Sequence, residues 1–290
     1  MSGAPLPTRR DFLTPRHGAL NVAHVLATHA ALVAWFWLGW RLPLVVYLPA
    51  SVLAALVHQR AMSEWIHEAA HGNLLPARRW NDRLGDALAG VWFGLRVDAY
   101  RRTHLPHHAH DDFFVDDDAD TRFLAVGSRR ALCVAVLSDL SGLTVVRQYL
   151  RFQPGAGADL GWTVAVALVQ VALVGTCWRL GRLDAWLLYY GTLVTAYPLL
   201  NRLRTYGQHV TIDAAGRACL TPSGASRTID AGLLDRIVFT SPRLMYHDEH
   251  HREPHLPWRA LRAVARPCDD PNRYARSRWA VMRALWAGLG

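Results

Sequence analysis

The residues with types and spacing suited to chemistry are histidines. The chain carries 15 of them in 290 residues, and most fall in tight groups. His67 and His71 form one pair. His104, His107 and His108 form a second set, and His247, His250 and His251 a third. On a helix, side chains three or four residues apart share a face, so two imidazoles of one set can converge on one metal ion. Imidazole suits iron, copper, zinc and nickel, so spacing alone does not name the metal. Eight clustered histidines are too many for one ion with about four to six ligands, and suit two. A ninth, His209, joins them if the helix carrying it continues past the membrane face. Glu68, Asp248 and Glu249 lie within the sets and are expected to hold imidazole N–H groups and fix tautomers, with Asn201 as a further candidate. The acidic run of Asp111, Asp112, Asp116 and Asp117 reads as a solvated loop.

Positioning these groups falls to apolar helices. About half the chain is hydrophobic, and the apolar residues gather in two blocks, roughly 19–62 and 160–200. A spanning helix needs about 20 mostly apolar residues. Four candidates follow, at about 20–40, 42–62, 161–178 and 184–203, arranged as two hairpins with very short turns. Pro198 is expected to kink the fourth. Two hairpins leave both termini, the segment of about 63–159 and the segment from 204 to 290 on one side. Arg41, Arg179 and Arg182 sit at the hairpin tips, whereas 29 of the 32 basic residues, all arginine, lie on that one side. The positive-inside rule makes it the cytoplasm, or the cytoplasmic side of the inner membrane in a bacterium. Trp37, Trp40, Trp178 and Trp186 then fall near the opposite interface. The stretches Leu84–Leu95 and Ala131–Leu150 are interrupted by Asp86, Asp139 and Arg147, and read as amphipathic helices on the membrane face or under the metal site. The run beginning near Leu20 is too long for a cleaved signal and reads as a retained span. The fold class expected is an all-α integral membrane protein. It is one domain over 1–290, with four transmembrane helices and a cytosolic helical cap. At 1.5 Å per residue, helices that continue past the membrane carry His67, His71 and His209 about 10 Å into that cap.

Net charge is +9 and pI about 9.9, yet the arginines form neither one helix face nor a compact run, which argues against a nucleic-acid partner. Cys133, Cys177, Cys219 and Cys268 are far apart and suggest neither a disulfide framework nor a thiolate zinc site. His67-Glu68-x-x-His71 also matches the HExxH motif of zinc metalloproteases, but that reading leaves six clustered histidines without a role. A metal transporter would more naturally place its ligands inside the spans. Among the other histidines, His24, His29 and His58 read as hydrogen-bonding groups between spans. His110 and His255 are candidates to back the ligands, and His17 reads as a surface residue.

The order HxxxH, HxxHH, HxxHH around two membrane hairpins resembles the membrane fatty acid desaturase and hydroxylase superfamily, from about Leu20 to about Leu261. Asp118-Ala119-Asp120 sits where many members have Asp-Pro-Asp. The run from Arg204 to His209 is similar to an Arg-x-x-x-Glu-His element that supplies a further ligand, with Gln208 in place of glutamate. Tyr246 to His251, followed by Pro254, Pro257 and Trp258, is similar to the closing signature. The resemblance implies two non-haem iron ions held by His67, His71, His104, His107, His108, His209, His247, His250 and His251, with molecular oxygen as co-substrate. It implies a separate electron donor of ferredoxin, rubredoxin or cytochrome type, and a lipid or acyl substrate drawn from the membrane lipids. Taking two neighbouring hydrogens from such a chain gives a double bond. Hydroxylation or ketone formation on an alkane, sphingoid, carotenoid or small-metabolite skeleton is the alternative.

Overall fold

The computed structural model describes residues 8–109, 113–118, 120–151, 159–220, 225–230 and 232–290. His110, Asp111, Asp112 and Ala119 lie outside the described residues. After a single turn, α1 (Arg9–Phe12), come the first long helices, α2 (Pro15–Gly39) and α3 (Leu44–Ala70). Pro15 occupies the first turn of α2, where its missing N–H costs nothing, and the Thr14 side chain accepts from His17 N at 3.4 Å. The next elements are α4 (Arg78–Leu88), α5 (Val97–His107), α6 (Arg129–Leu140) and α7 (Leu143–Arg151). They are followed by α8 (Leu160–Arg179), α9 (Leu183–Val194) and α10 (Ala196–His209). The C-terminal part holds α11 (Leu233–Val238), α12 (His247–Arg252), α13 (Trp258–Val264) and α14 (Arg278–Gly288).

Three helices are long and apolar enough to cross a bilayer: α2, α3 and α8. They cover the first three expected spans. The fourth expected span, 184–203, is two shorter helices, α9 with 12 residues and α10 with 14, meeting at Thr195. Pro198 explains the break, and its position a turn upstream. Proline offers no N–H to the carbonyl four residues back and its ring crowds that carbonyl, here Val194. Thr195 is accordingly distorted from ideal helical angles, at φ −115° and ψ −76°. Its hydroxyl donates to Gly191 O at 2.6 Å.

Burial along α3 shows where its surroundings change. Leu44 and Val45 are 70% and 80% exposed, whereas His58 to Met62 and Glu64 to Ala70 are buried. The helix is thus bare at one end and enclosed at the other, packed by α2, α4, α5 and α9. Its N-terminal half shares a core with α2 and α9 through Leu32, Phe36, Tyr47, Ala55 and Tyr189. Its C-terminal half builds a core of the cap through Val25, Met62, Trp65, Ile66 and Val97. α8 buries nothing among the described residues, and its main packing is along α9.

A chain of hydrogen bonds runs through the helical layer. Tyr189 O–H meets His58 Nδ1 at 2.9 Å, and His58 Nε2 meets His29 Nδ1 at 2.8 Å. His29 Nε2 reaches Leu88 O at 2.9 Å. One direction of donation satisfies the whole chain: Tyr189 to His58, His58 to His29, His29 to a backbone carbonyl. At the hairpin tips, Arg182 Nη2 donates to Asp184 and to the Tyr47 hydroxyl, each at 2.8 Å. The same guanidinium lies 5.7 Å over the Trp40 ring. Trp37, Trp40 and Trp178 are more than half exposed at that end.

The apolar stretch 131–150 divides into α6 and α7. Asp139, inside it, is buried and takes Arg202 of α10 in a two-point ion pair, Nε–Oδ2 at 2.6 Å and Nη2–Oδ1 at 3.2 Å. Leu84–Leu95 is likewise no span, since it holds the end of α4 and a short 3-10 turn at 90–92. The expectation of a purely helical cap needs correcting. Thr211–Ile212 pairs antiparallel with Ala218–Cys219, and Thr228–Ile229 pairs parallel with Tyr274–Ala275. β-Branched residues favour the extended backbone at these points. The chain leaving α10 and the chain approaching α14 are pinned together there.

Candidate metal centre

The first histidine pair ends α3. Gly72, at φ +77°, closes the helix as a left-handed cap: Asn73 N–H donates to Glu68 O at 2.7 Å and Gly72 N–H to Ala69 O at 3.0 Å. The helix therefore stops directly after His71. Arg101 of α5 fastens onto this end, its Nε donating to Ala70 O at 2.6 Å and its Nη2 to Ala69 O at 2.9 Å. A cation at a helix C-terminus is favoured by the helix dipole. Arg101 lies three residues before His104, so this contact sets the second histidine set against the first. Glu64, buried in α3, accepts from Ser241 N at 3.1 Å, Ser241 Oγ at 2.6 Å and Arg243 Nε at 3.1 Å. These residues begin the loop that leads into α12 and the third set.

The nine sequence-expected imidazoles meet in one place and form two groups. The donor atoms of His67, His71, His104, His108 and His250 all lie within 4.8 Å of one another, and so do those of His107, His209 and His251. His247 stands beside the second group, with its Nε2 2.8 Å from His209 Nε2. Ring centroids are 4.5 Å apart for His67 and His250, 4.6 Å for His71 and His250, and 4.9 Å for His107 and His209. The groups touch through His108 and His251, at 4.4 Å. Helix periodicity explains the division. His104 and His108, four apart, enter the first group, while His107 turns to the second. In α12 the arrangement reverses: His250 joins the first group, while His247 and His251, four apart, face the second.

The donor set fits metal ions. Buried ring nitrogens of His67, His71, His108, His247, His250 and His251 have no hydrogen-bond partner among the described residues. Leaving such atoms unpaired costs about 1–3 kcal/mol each, and a ligated ion removes the cost. His104 Nε2 and His108 Nε2 are 3.0 Å apart. Two nitrogens bound at about 2.0–2.1 Å to one ion, at right angles, would lie about 3 Å apart. Burial, then neighbouring imidazoles, pushes His71, His108, His247, His250 and His251 below the usual histidine range. They are therefore neutral at pH 7, which is the form that binds metal.

Carboxylates do back the cluster, but mostly not those expected. His107 Nδ1 donates to both oxygens of Asp118 at 3.1 Å, and His104 Nδ1 donates to Asp120 Oδ2 at 2.9 Å. His209 Nδ1 faces Ala225 O at 3.3 Å. Each contact fixes a tautomer with Nε2 free for a ligand position. Burial alone would raise Asp118, but hydrogen bonds from His107 and Thr121 hold it below the usual carboxylate range. Asp248 turns away to Arg252, Arg273 and Ser226, while Glu249 accepts from Thr228. These two hold α12 in place and make no hydrogen bond to an imidazole among the described residues. Glu68 is buried with Oε1 unpaired; its nearest imidazole nitrogen, His67 Nδ1, is at 3.8 Å, beyond hydrogen-bond reach. Asn201 accepts from Arg204 at 2.8 Å. Asp116 and Asp117 are exposed, and His255 lies 3.6 Å from Glu253, its neighbour two residues back. Sequence reasoning passed over Tyr100, whose ring stacks on His104 at 4.9 Å, and Phe113, whose centroid is 4.2 Å from that of His209. A cavity of about 520 Å³ reaches His67, His104, His107, His209 and His247.

Long apolar helices here carry, at one end, a buried two-group histidine cluster that could hold metal ions. The family model for fatty acid desaturase matches residues 42–282. The chain belongs to the fatty acid desaturase family, and so to a family of membrane oxidoreductases. It is also 25% identical over 297 aligned residues to a protein of Bradyrhizobium elkanii called dihydrorhizobitoxine desaturase, covering 94% of this chain and 79% of that protein.

Proposed function

We propose that this chain is an oxygen-dependent desaturase that works as a single catalytic unit, with the nine histidines holding two iron ions. The observation that carries this reading is the set of buried, partnerless imidazole nitrogens converging in two groups. When bound, the ions would supply, with molecular oxygen and electrons from a separate ferredoxin-, rubredoxin- or cytochrome-type protein, the oxidising power to break an unactivated C–H bond. His67, His71, His104, His108 and His250 would hold one ion, and His107, His209, His247 and His251 the other. Asp118 and Asp120 keep His107 and His104 in the ligating tautomer. Phe113, Tyr100 and the core of α3 keep bulk water from the cluster. The substrate sits in the cavity beside the histidines, with the double bond formed where two adjacent C–H groups face them.

The arginine distribution and the bare lower half of α3 support a site on the cytoplasmic side, with both termini there. α9 and α10 together then make the fourth crossing, jointed at Thr195. An acyl or other lipid chain is one substrate class. The relative named for dihydrorhizobitoxine supports a second, a small metabolite. Hydroxylation is the alternative outcome of the same C–H chemistry. A zinc protease would use His67, Glu68 and His71 and leave the other imidazoles idle.

Elemental analysis of the detergent-purified protein tests the proposal. Iron near two per chain, falling in both His107→Ala and His250→Ala with loss of oxygen-dependent turnover, is the expected result. A single zinc that persists after reconstitution with iron would overturn it.

A further inference from the structure

The cavity beside the histidines contains a cation that makes no ion pair within 4.0 Å among the described residues. Arg204 of α10 lines it together with Asn201, His104, His107 and His209. Arg204 Nη2 donates to Asn201 Oδ1 at 2.8 Å, while its Nε is buried and has no partner among the described residues. A guanidinium offers five N–H donors in a planar fork, and no carboxylate among the described residues lies within 4.0 Å of this one. Burial alone would raise Asp120, which lines the same cavity; its hydrogen bond from His104, and more weakly the Arg204 charge, hold it below the usual carboxylate range, but it offers no acceptor to the Arg204 fork within 4.0 Å. The neighbouring Arg278 shows what a satisfied arginine looks like here. Its Nε and Nη2 meet Asp235 at 2.8 and 3.1 Å, and its Nη1 donates to Arg204 O at 3.1 Å. Arg204 thus has its backbone fixed from behind and its side chain facing open volume.

A partly buried, singly paired guanidinium favours a planar anion that accepts two N–H bonds, and one positive charge matches one negative charge. We propose that Arg204 anchors a free carboxylate of the substrate, so that the enzyme oxidises a carboxylic acid rather than an ester or thioester of one. The proposal rests on the reading of the histidine cluster as the oxidation centre. Arg204 precedes His209 by five residues on one helix, an axial offset of about 7.5 Å. The oxidised carbons therefore lie a short chain away from the carboxylate. Phe93, Leu95 and Val145 supply the apolar wall for that chain. Arg204 is a positioning and selecting residue here, not a metal ligand.

Equilibrium binding of hexanoate and the isosteric, uncharged hexanamide to the purified full chain tests this, with iron content measured on the same samples. A charged, buried hydrogen-bonded pair predicts that hexanoate binds at least about tenfold more tightly than the amide. Arg204→Gln should erase the preference while keeping wild-type iron, and Arg204→Lys, which keeps charge but loses the fork, should reduce it. No acid-over-amide preference in the wild type, or an undiminished preference in both variants, would overturn the proposal. A strong preference that depends on Arg204 in a protein binding no iron would support the anchor and refute the oxidation centre, so the two readings fail separately.

Discussion

Asp118→Asn tests how the second histidine group is held. Asp118 Oδ1 accepts from Asp120 N at 3.0 Å and from Thr121 N at 3.4 Å, and both oxygens accept from His107 Nδ1 at 3.1 Å. Asparagine has the same shape but only one acceptor oxygen. Keeping that oxygen on the two backbone N–H groups turns the amide NH₂ towards His107 Nδ1, which is itself a donor. His107 Nδ1 then keeps only the neutral Oδ1 as acceptor and meets a competing donor where Oδ2 stood, so the hold on its ligating tautomer is weakened. Losing a carboxylate behind a ligating imidazole typically costs about 10–100-fold in metal affinity, or about 1.4–2.7 kcal/mol. The expected result, read by chelator competition followed by elemental analysis, is weakened binding of one ion. The other ion, on His67, His71, His104, His108 and His250, stays. Iron affinity and turnover both equal to wild type would refute the reasoning, as would loss of both ions in a protein whose helical content is unchanged.

Asp139→Ala leaves Arg202 charged and buried without its partner, and should destabilise the protein by about 3–5 kcal/mol. Thermal unfolding in detergent would show this, and replacing Arg202 by methionine in the same chain should recover most of the loss. Glu68→Gln keeps the shape of a side chain that makes no close contact with an imidazole, so metal content and a substantial share of oxygen-dependent turnover should survive. Complete loss of turnover would favour a general-base role for Glu68. Stripping the metals with a chelator should lower the melting temperature, because the unpaired imidazoles return to a buried, unligated state. Readdition of iron should restore it, with a dependence on free-iron concentration.

The histidine sets and the apolar helices were readable because both depend on local periodicity. Three- and four-residue spacing marks a helix face whatever surrounds it, and a run of apolar residues marks a span. The groups that back the ligands were harder to read. Asp248 and Glu249 are adjacent in sequence to ligands, but one step along a helix turns a side chain by about 100°, away from the cluster and onto the neighbouring strands. Asp118 and Asp120 do the expected job from a loop 11 and 16 residues beyond their partners. What marked them was the Asp118-Ala119-Asp120 pattern, which sits where many members of the resembled family have Asp-Pro-Asp, and it carried no hint of which imidazole each would back. Pro198 announced a break in the fourth apolar segment, but its steric effect falls on a carbonyl four residues earlier, so the joint lies at Thr195. Spacing tells which histidines of α5 or α12 share a face, but which group each face meets depends on how the two helices are set against each other, which no spacing encodes.

That interleaving has a consequence for how such a site can change over time. α5 and α12 each feed both groups, and α12, only six residues long, carries three of the nine imidazoles. A substitution that tilts either helix disturbs both ligand sets together. The scaffold therefore has no easy intermediate with one good site and one discarded. Drift in this architecture should remove both sites at once or preserve both, while the cavity lining, which belongs to neither group alone, remains free to vary.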